Sequence, residues 1–258
     1  MLDRIADYSG CDYNSRREFI LDNLSSMGMT PLRQKISHDG LELLNIGVVY
    51  GNSKNLPVSA FSAHYDKTPE GDGILDNGSA VIEMLSTLEK MVKEGSPIPF
   101  GFLFFDGEEI GLIGSKGYVN DPFLNLSKVY NLEVTGRGNA IMLGSKSYDL
   151  SWEDYVKNSE AMNGRIQKVC TELNIPFFYA GTPPSDNVIL NQAGIDSTVF
   201  STVSSDLGRL WESEGGPTPK ILEKLEINGF HDTLDKVQPN TLKMVRNILL
   251  GIAKQEYQ

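Results

Sequence analysis

The middle of the sequence alternates apolar and amphipathic segments in the order strand, helix, strand. Residues 57–63 and 101–105 are short apolar runs, which are typical of buried strands. Residues 77–93 between them place apolar side chains at helical spacing: Val81, Met84, Leu85, Leu88 and Met91. A helix that connects two parallel strands makes a right-handed crossover. Because residues 102–105 are apolar without alternation, we expect a strand covered on both faces, and hence a layered α/β sheet.

The rest of the chain continues this alternation. We predict strands at residues 43–50, 129–134, 140–143, 177–179 and 197–203, and helices at 14–27, 109–118, 151–173, 185–192 and 238–253. Turn-forming residues at 51–53 predict a hairpin that makes 43–50 and 57–63 neighbours. Together these segments predict one domain over residues 1–258, a three-layer α/β fold with a mixed, mostly parallel central sheet flanked by helices.

Composition excludes several classes of protein. The 258 residues carry a net charge of −11 and no Lys/Arg-rich run, which argues against nucleic-acid binding. No apolar run approaches the ~20 residues that span a membrane. The N-terminal residues lack the pattern of a signal peptide, and Cys11 and Cys170 are far apart. We therefore expect a cytoplasmic protein with two free thiols and no nucleic-acid or membrane partner. The oligomeric state stays open.

Ionisable residues follow the predicted strands. His64 and Asp66 come directly after residues 57–63, and Glu108 and Glu109 follow residues 101–105. Open α/β sheets bind their ligands at the carboxyl ends of the strands. Each residue also has a simpler interpretation: His64 as a polar strand end and the glutamates as a solvated pair. Adjacent carboxylates can instead divide the work, one holding a metal ion and the other acting as a base.

Three further residues extend this candidate site. Asp76 stands at a predicted helix start, where it could equally be an N-cap, and Asp72 is a rival in the same loop. Glu133 lies in an apolar strand, where a buried carboxylate needs a partner such as a metal ion. His231 precedes the last predicted helix.

These motifs, in this order, resemble those of the zinc exopeptidase family, which includes bacterial di-zinc leucyl aminopeptidases, glutamate carboxypeptidase II and glutaminyl cyclases. The resemblance runs from about residue 57 to residue 237. It rests on the following residues: His64-x-Asp66, Asp76-Asn77, Glu108-Glu109, Glu133 and Phe230-His231-x-Thr233-x-x-Asp235.

The resemblance implies a role for each of these side chains. His64 and His231 would each bind one of two zinc ions, which cobalt or manganese could replace, and Asp76 would bridge the ions. Glu109 and Glu133 would each complete one ligand set, Glu108 would be the general base, and Asp66 would orient His64.

The sequence departs from the family pattern in three places. Glu133 stands where the family usually has Asp. The common Ser-Asp-His is Ser185-Asp186-Asn187 here, which could alter the substrate pocket. The loop between His64 and Asp76 is also short. None of these changes removes a proposed ligand.

The resemblance favours an aminopeptidase that removes the N-terminal residue of a peptide or an amino-acid derivative. The alternatives are a single-zinc enzyme like the glutaminyl cyclases and a catalytically inactive binding relative. A serine hydrolase is excluded by spacing, because Gly114-Ser115-Lys116-Gly117 lacks the Gly-x-Ser-x-Gly pattern. Residues 177–179 and 181–184 could line a substrate pocket or belong to the core.

Overall fold

The computed structural model describes residues 1–51 and 57–257. Within them lies one sheet of nine strands in the order β1-β2-β4-β3-β5-β9-β6-β7, with β8 paired to β6. The strands are β1 (Leu32–His38), β2 (Leu41–Tyr50), β3 (Val58–His64), β4 (Phe100–Phe105), β5 (Leu126–Leu132), β6 (Ala140–Tyr148), β7 (Tyr155–Lys157), β8 (Phe177–Thr182) and β9 (Asp196–Val203).

Helices cover both faces of the sheet. They are α1 (Leu2–Ser9), α2 (Tyr13–Ser26), α3 (Ser79–Glu94), α4 (Ile113–Asn120), α5 (Glu160–Glu172), α6 (Asp186–Gln192), α7 (Ser205–Glu214), α8 (Pro219–Leu225) and α9 (Pro239–Tyr257). Side chains of β4 alternate between the two faces of the sheet, and each face packs against a different set of helices. Phe102 and Phe104 belong to the core that contains α3 and α9, and Leu103 and Phe105 pack with Tyr118 of α4. The predicted three-layer α/β fold is therefore confirmed.

Parallel strands form the centre of the sheet. Four neighbouring strands run parallel to one another in the order β4, β3, β5 and β9. On one side of them, β2 pairs antiparallel with both β4 and β1, and on the other side β6 pairs antiparallel with β9. The carboxyl ends of the four central strands consequently meet at one edge of the sheet, where His64 ends β3. That a single domain spans residues 1–258 stays a prediction.

The predicted pairing of segments 43–50 and 57–63 is wrong. β4 lies between β2 and β3, and β2 forms its hairpin with β1 instead. Asp39 and Gly40 make that turn with φ values of 49° and 81°, the geometry of a two-residue hairpin. The half-exposed β1 has no apolar run to mark it, and residues 52 and 53 of the expected turn lie outside the described residues.

The predicted helix over residues 151–173 is only partly correct. Residues 155–157 form β7, and α5 begins at Glu160, where the Ser159 side chain accepts a hydrogen bond from the Met162 N–H. Residues 149–154 form the turn between β6 and β7, in which the Asp149 carboxylate accepts from the Ser151 N–H at 3.0 Å. Turn-forming side chains here outweigh the helical pattern that follows them.

In residues 1–51 and 57–257, none of the helices combines the length and the apolar character that crossing a membrane requires. The cytoplasmic location stays a prediction.

Candidate metal centre

His64 is the centre of a cluster of carboxylates at the edge described above. Its ring is buried, and Nε2 lies 3.0 Å from Asp76 Oδ1 and 3.3 Å from Glu133 Oε1. The other ring nitrogen, Nδ1, lies 3.3 Å from Asp66 Oδ1. Asp66 thus contacts one ring nitrogen, while Nε2 faces the two other carboxylates, and its role in orienting the imidazole stays a prediction.

Asp66 also holds the turn that follows β4. Its two carboxylate oxygens accept hydrogen bonds from the backbone N–H groups of Glu108 at 3.1 Å and of Glu109 at 3.0 Å. One buried side chain thus contacts both the imidazole and the backbone of the Glu108-Glu109 pair. This contact connects the ends of β3 and β4, which are adjacent and parallel.

Asp76 is not a helix cap. It lies in an irregular turn (Ile74–Gly78) with φ −120° and ψ 90°, and α3 starts only at Ser79 without a side-chain cap. Its carboxylate is therefore available to His64. Glu133, which the sequence predicted inside a strand, lies one residue beyond the end of β5 and accepts a hydrogen bond from the Ser185 hydroxyl.

Asp232 holds the Asp76 turn, a role that the sequence did not reveal. Its buried carboxylate accepts hydrogen bonds from the backbone N–H groups of Ile74 at 2.8 Å, Leu75 at 2.6 Å and Asp76 at 3.1 Å. These partners lie more than 150 residues earlier in the chain, so no local pattern marks the contact. Asp72, the rival ligand, instead accepts from the Leu234 N–H at 3.4 Å.

Two groups of side chains in the described residues could hold a metal ion. One is His64, Glu108 and Glu133, and the other is His64, Asp76 and Glu109; within each group the ligand atoms lie within 4.8 Å of one another. Glu109 Oε1 is buried and has no hydrogen-bond partner within residues 1–51 and 57–257, as expected of an oxygen that faces a cation. The oxygen and imidazole donors suit zinc.

The electrostatics also favour a cation. Burial, followed by the Asp76 carboxylate, raises the pKa of Glu109 to about 8. Burial raises the pKa values of Glu108 and Glu133 as well. Burial alone would lower the pKa of His64, but the carboxylates of Glu133 and Glu108 raise it well above its usual value. Carboxylates this close repel one another, and a bound cation would relieve the repulsion.

His231 lies outside both groups. Its side chain is exposed, although the next residue, Asp232, is the anchor of the Asp76 turn. The segment that carries His231 thus reaches the site, although His231 belongs to neither candidate group found among the described residues. Its role as a ligand stays a prediction.

Asp186 and Asn187, at the start of α6, complete the buried surroundings. Asp186 is fully buried, and burial raises its pKa to about 7. Asn187 donates hydrogen bonds to Ser147 Oγ at 2.9 Å and Asn158 Oδ1 at 2.8 Å. The residue that replaces the family histidine is therefore part of a buried polar network.

A cavity of about 510 Å³ opens beside these carboxylates. Asp76, Glu108, Glu109 and Glu133 line one side, and the remainder is mainly apolar: Leu112, Val134, Leu150, Trp152, Thr182, Pro183, Pro184, Val199, Trp211, Leu222, Leu225 and Ile227 among others. Part of the predicted 181–184 loop lines this cavity, whereas Phe177 and Tyr179 pack against the main core. No lysine or arginine of the described residues lines it.

The sequence matches the model of Peptidase family M28 over residues 45–253. A curated relative, the vacuolar membrane protease of Saccharomyces cerevisiae (strain YJM789), is 40% identical over 83 residues, which make up 32% of this chain and 8% of the relative. The chain thus corresponds to a small part of that protein.

Solved structures share the fold. The zinc aminopeptidase BSAP from Bacillus subtilis superposes with a TM-score of 0.64 at 20% identity, covering 82% of this chain and 49% of that one. The glutaminyl cyclase of Porphyromonas gingivalis gives a TM-score of 0.73 at 16% identity, covering 98% and 95%.

Proposed function

The chain belongs to Peptidase family M28, and on this premise we propose that it is a zinc-dependent aminopeptidase. The observation that carries the proposal is the cluster of His64, Asp76, Glu108, Glu109 and Glu133 at the side of a largely apolar cavity. A bound zinc ion would polarise the scissile carbonyl and stabilise the charge that develops on its oxygen.

Two ions require a contribution from His231. The Nδ1 atom of His64 faces Asp66, so only Nε2 is free to bind, and both candidate groups depend on this one atom. Asp76 could bridge two ions through its two oxygens. We propose that Glu133 and His64 serve one ion and Glu109 the other, and that His231 moves inward to complete the second set.

Glu108 is proposed as the general base. Its carboxylate lies in the same group as His64 and Glu133, and its backbone N–H donates a hydrogen bond to Asp66. In this role Glu108 takes a proton from the attacking water and passes it to the leaving amine. Burial raises the pKa of Glu108 in the metal-free protein, which makes its carboxylate a stronger proton acceptor.

The charge of the same cavity favours hydrolysis next to the free N-terminus of a peptide substrate. Its lining carries carboxylates and no lysine or arginine among the described residues, so an α-ammonium group would be attracted. The buried side chains of Leu112, Val199 and Trp211 offer an apolar surface for the first side chain. We propose that apolar N-terminal residues are preferred.

A substrate panel with metal quantification tests the proposal. We expect hydrolysis of leucine amide and Leu-Gly-Gly, no hydrolysis of N-acetyl-leucine amide, loss of activity after chelation, recovery with zinc, and two zinc ions per chain. Hydrolysis that is indifferent to chelation would contradict it. Ammonia release from Gln-Phe-amide at one zinc per chain would favour the cyclase alternative, and zinc binding without turnover would favour an inactive relative.

A further inference from the structure

The turn between β6 and β7 presents two apolar side chains at the mouth of the cavity. Leu150 and Trp152 both line it and are both 48% exposed. The deeper lining residues Leu112, Val199 and Trp211 are at most 1% exposed. The cavity therefore has a buried apolar floor and a separate exposed apolar wall, which we call the rim (Leu150 and Trp152).

The rim is held in place rather than loosely attached. The Asp149 backbone accepts a hydrogen bond from the Trp152 N–H at 3.0 Å, and the Asp149 N–H donates to the Asp154 carbonyl at 3.0 Å. The Trp152 indole stacks on Tyr148 with ring centroids 6.0 Å apart. Trp152 has φ +60°, an uncommon value for a bulky residue. The fold thus presents this indole to solvent in a fixed position.

An exposed tryptophan and leucine beside a catalytic cavity suit a ligand that extends beyond it. The cavity of about 510 Å³ is larger than one leucine or phenylalanine side chain, and its carboxylates and apolar rim line the same space. If the N-terminal residue of a peptide substrate occupies the floor, the rest of the peptide extends out of the cavity through its mouth. The residue after the scissile bond then comes beside the rim.

We propose that the rim is a binding site for the second residue of the peptide substrate and selects an apolar or aromatic side chain there. The proposal rests on the proposed aminopeptidase function for the direction of the peptide. Covering part of a leucine or phenylalanine side chain contributes on the order of 1.4 kcal/mol, which corresponds to about tenfold in kcat/KM.

The test compares peptides that differ only at the second residue: Leu-Gly-Ala-amide, Leu-Asp-Ala-amide, Leu-Leu-Ala-amide and Leu-Phe-Ala-amide. We expect kcat/KM about tenfold higher for the last two than for the first in the native protein. Trp152→Ala should reduce this ratio to about twofold or less. Leucine amide, which has no second residue, should lose much less kcat/KM in Trp152→Ala than Leu-Phe-Ala-amide does.

Tyr155→Ala is the matched control. Tyr155 is an exposed aromatic of the neighbouring β7 that does not line the cavity, and it packs with Lys146. Tyr155→Ala should leave the ratio of kcat/KM values between the peptides unchanged. A changed ratio in Trp152→Ala alone would then reflect loss of the rim and not a general disturbance of the turn. Leu150→Ser gives a second variant if Trp152→Ala folds poorly. Equal kcat/KM for all four peptides would overturn the inference while the proposed function stands.

Tryptophan fluorescence gives a readout that does not require turnover. Binding of Leu-Phe-Ala-amide to zinc-loaded Glu108→Gln protein should shift tryptophan emission to shorter wavelength more than Leu-Gly-Ala-amide does. Because Trp211 also lines the cavity, Trp152 is identified by the loss of this difference when Trp152→Ala is added. This arm still tests the rim if no peptide is hydrolysed. Dimerisation, or binding to phosphatidylcholine vesicles, that is lost in Trp152→Ala without any peptide effect would overturn the inference in favour of another occupant.

Discussion

The two ends of the central strands carry buried carboxylates in opposite surroundings. At the carboxyl ends, Asp186 is buried near Glu133 and Asp66, and Glu109 Oε1 is buried without a hydrogen-bond partner among the described residues. At the amino ends, Glu256 of α9 accepts hydrogen bonds from Ser59 at 2.9 Å and Lys128 at 2.7 Å. It also accepts from Tyr130 at 2.5 Å and lies 3.0 Å from Arg165.

The pKa values of the carboxylates in the two regions are shifted in opposite directions. Burial alone would raise the pKa of Glu256, but Lys128, Tyr130 and Ser59 hold it below its usual value. In contrast, the pKa of Glu109 is about 8, because burial and Asp76 both raise it. Glu256 connects α9 to the sheet with a complete set of partners, whereas the opposite cluster gains a complete set only with a cation.

The largest difference between the two regions is expected when one carboxylate at each end of the central strands is replaced by an amide. Glu108→Gln should lower kcat by about 10²–10⁴-fold, since the proposed base is lost, with zinc content unchanged. Glu256→Gln should leave kcat within about twofold, because it lies at the other end of the strands. Steady-state kinetics and metal analysis check both. A fully active Glu108→Gln protein would disprove the assigned role.

Asp66→Asn should give the next largest effect. An amide nitrogen would face either the Glu108 or the Glu109 N–H, so one of the two hydrogen bonds is lost. We expect zinc affinity or kcat/KM to fall by about 10–100-fold, as is usual when a residue that orients a ligand is changed. Chelator competition and kinetics measure the two quantities. If neither falls, Asp66 does not position the site.

The pH dependence of stability should also differ between the two ends. Glu109 and Asp186 have raised pKa values of about 8 and about 7, so the metal-free folded protein binds more protons than the unfolded chain. Their stabilising effect is present below the unfolded pKa and is lost as pH rises towards 8. Glu256, with a lowered pKa, acts in the opposite sense, and its contribution is lost only on acidification through its folded pKa.

We therefore expect metal-free protein to melt at a higher temperature at pH 5.5 than at pH 8, with zinc raising Tm more at pH 8. Differential scanning calorimetry after dialysis against chelator and then chelator-free buffer provides the measurement. A Tm that rises from pH 5.5 to 8 without metal would contradict this expectation.

The smallest effects concern stability alone. Glu256→Gln should lower the free energy of unfolding by about 1–3 kcal/mol, because hydrogen bonds to a charged group are lost. Lys93→Ala, which removes a surface ion pair with Glu89, should cost less than about 0.5 kcal/mol. Urea denaturation distinguishes the two. Equal costs would mean that the Glu256 contacts are as weak as surface pairs.

Sequence patterns predicted the elements well where apolar side chains fall into a regular period. The strand-helix-strand segment became β3, α3 and β4, and five predicted site residues lie together: His64, Asp76, Glu108, Glu109 and Glu133. Their proximity was predictable because each follows a strand or precedes a helix at one edge of the sheet.

Contacts between distant segments could not be predicted in this way. Asp232 binds backbone groups that lie far away in sequence, and Asp186 is buried by the assembled sheet. β7 is a three-residue strand whose position depends on pairing with β6. The position of His231 depends on the path of a loop, which no periodic pattern encodes.

The hydrogen bonds of Asp232 have a practical consequence for recombining this chain with relatives. Residues 72–76 and residues 229–235 are joined by that carboxylate and by hydrogen bonds of Asp72, so the two segments should be exchanged together despite their separation in sequence. A chimaera that takes only one of the two segments from a relative without an equivalent acid would leave three backbone N–H groups unpaired. Libraries that swap both segments together should retain folded members more often than libraries that swap either segment alone.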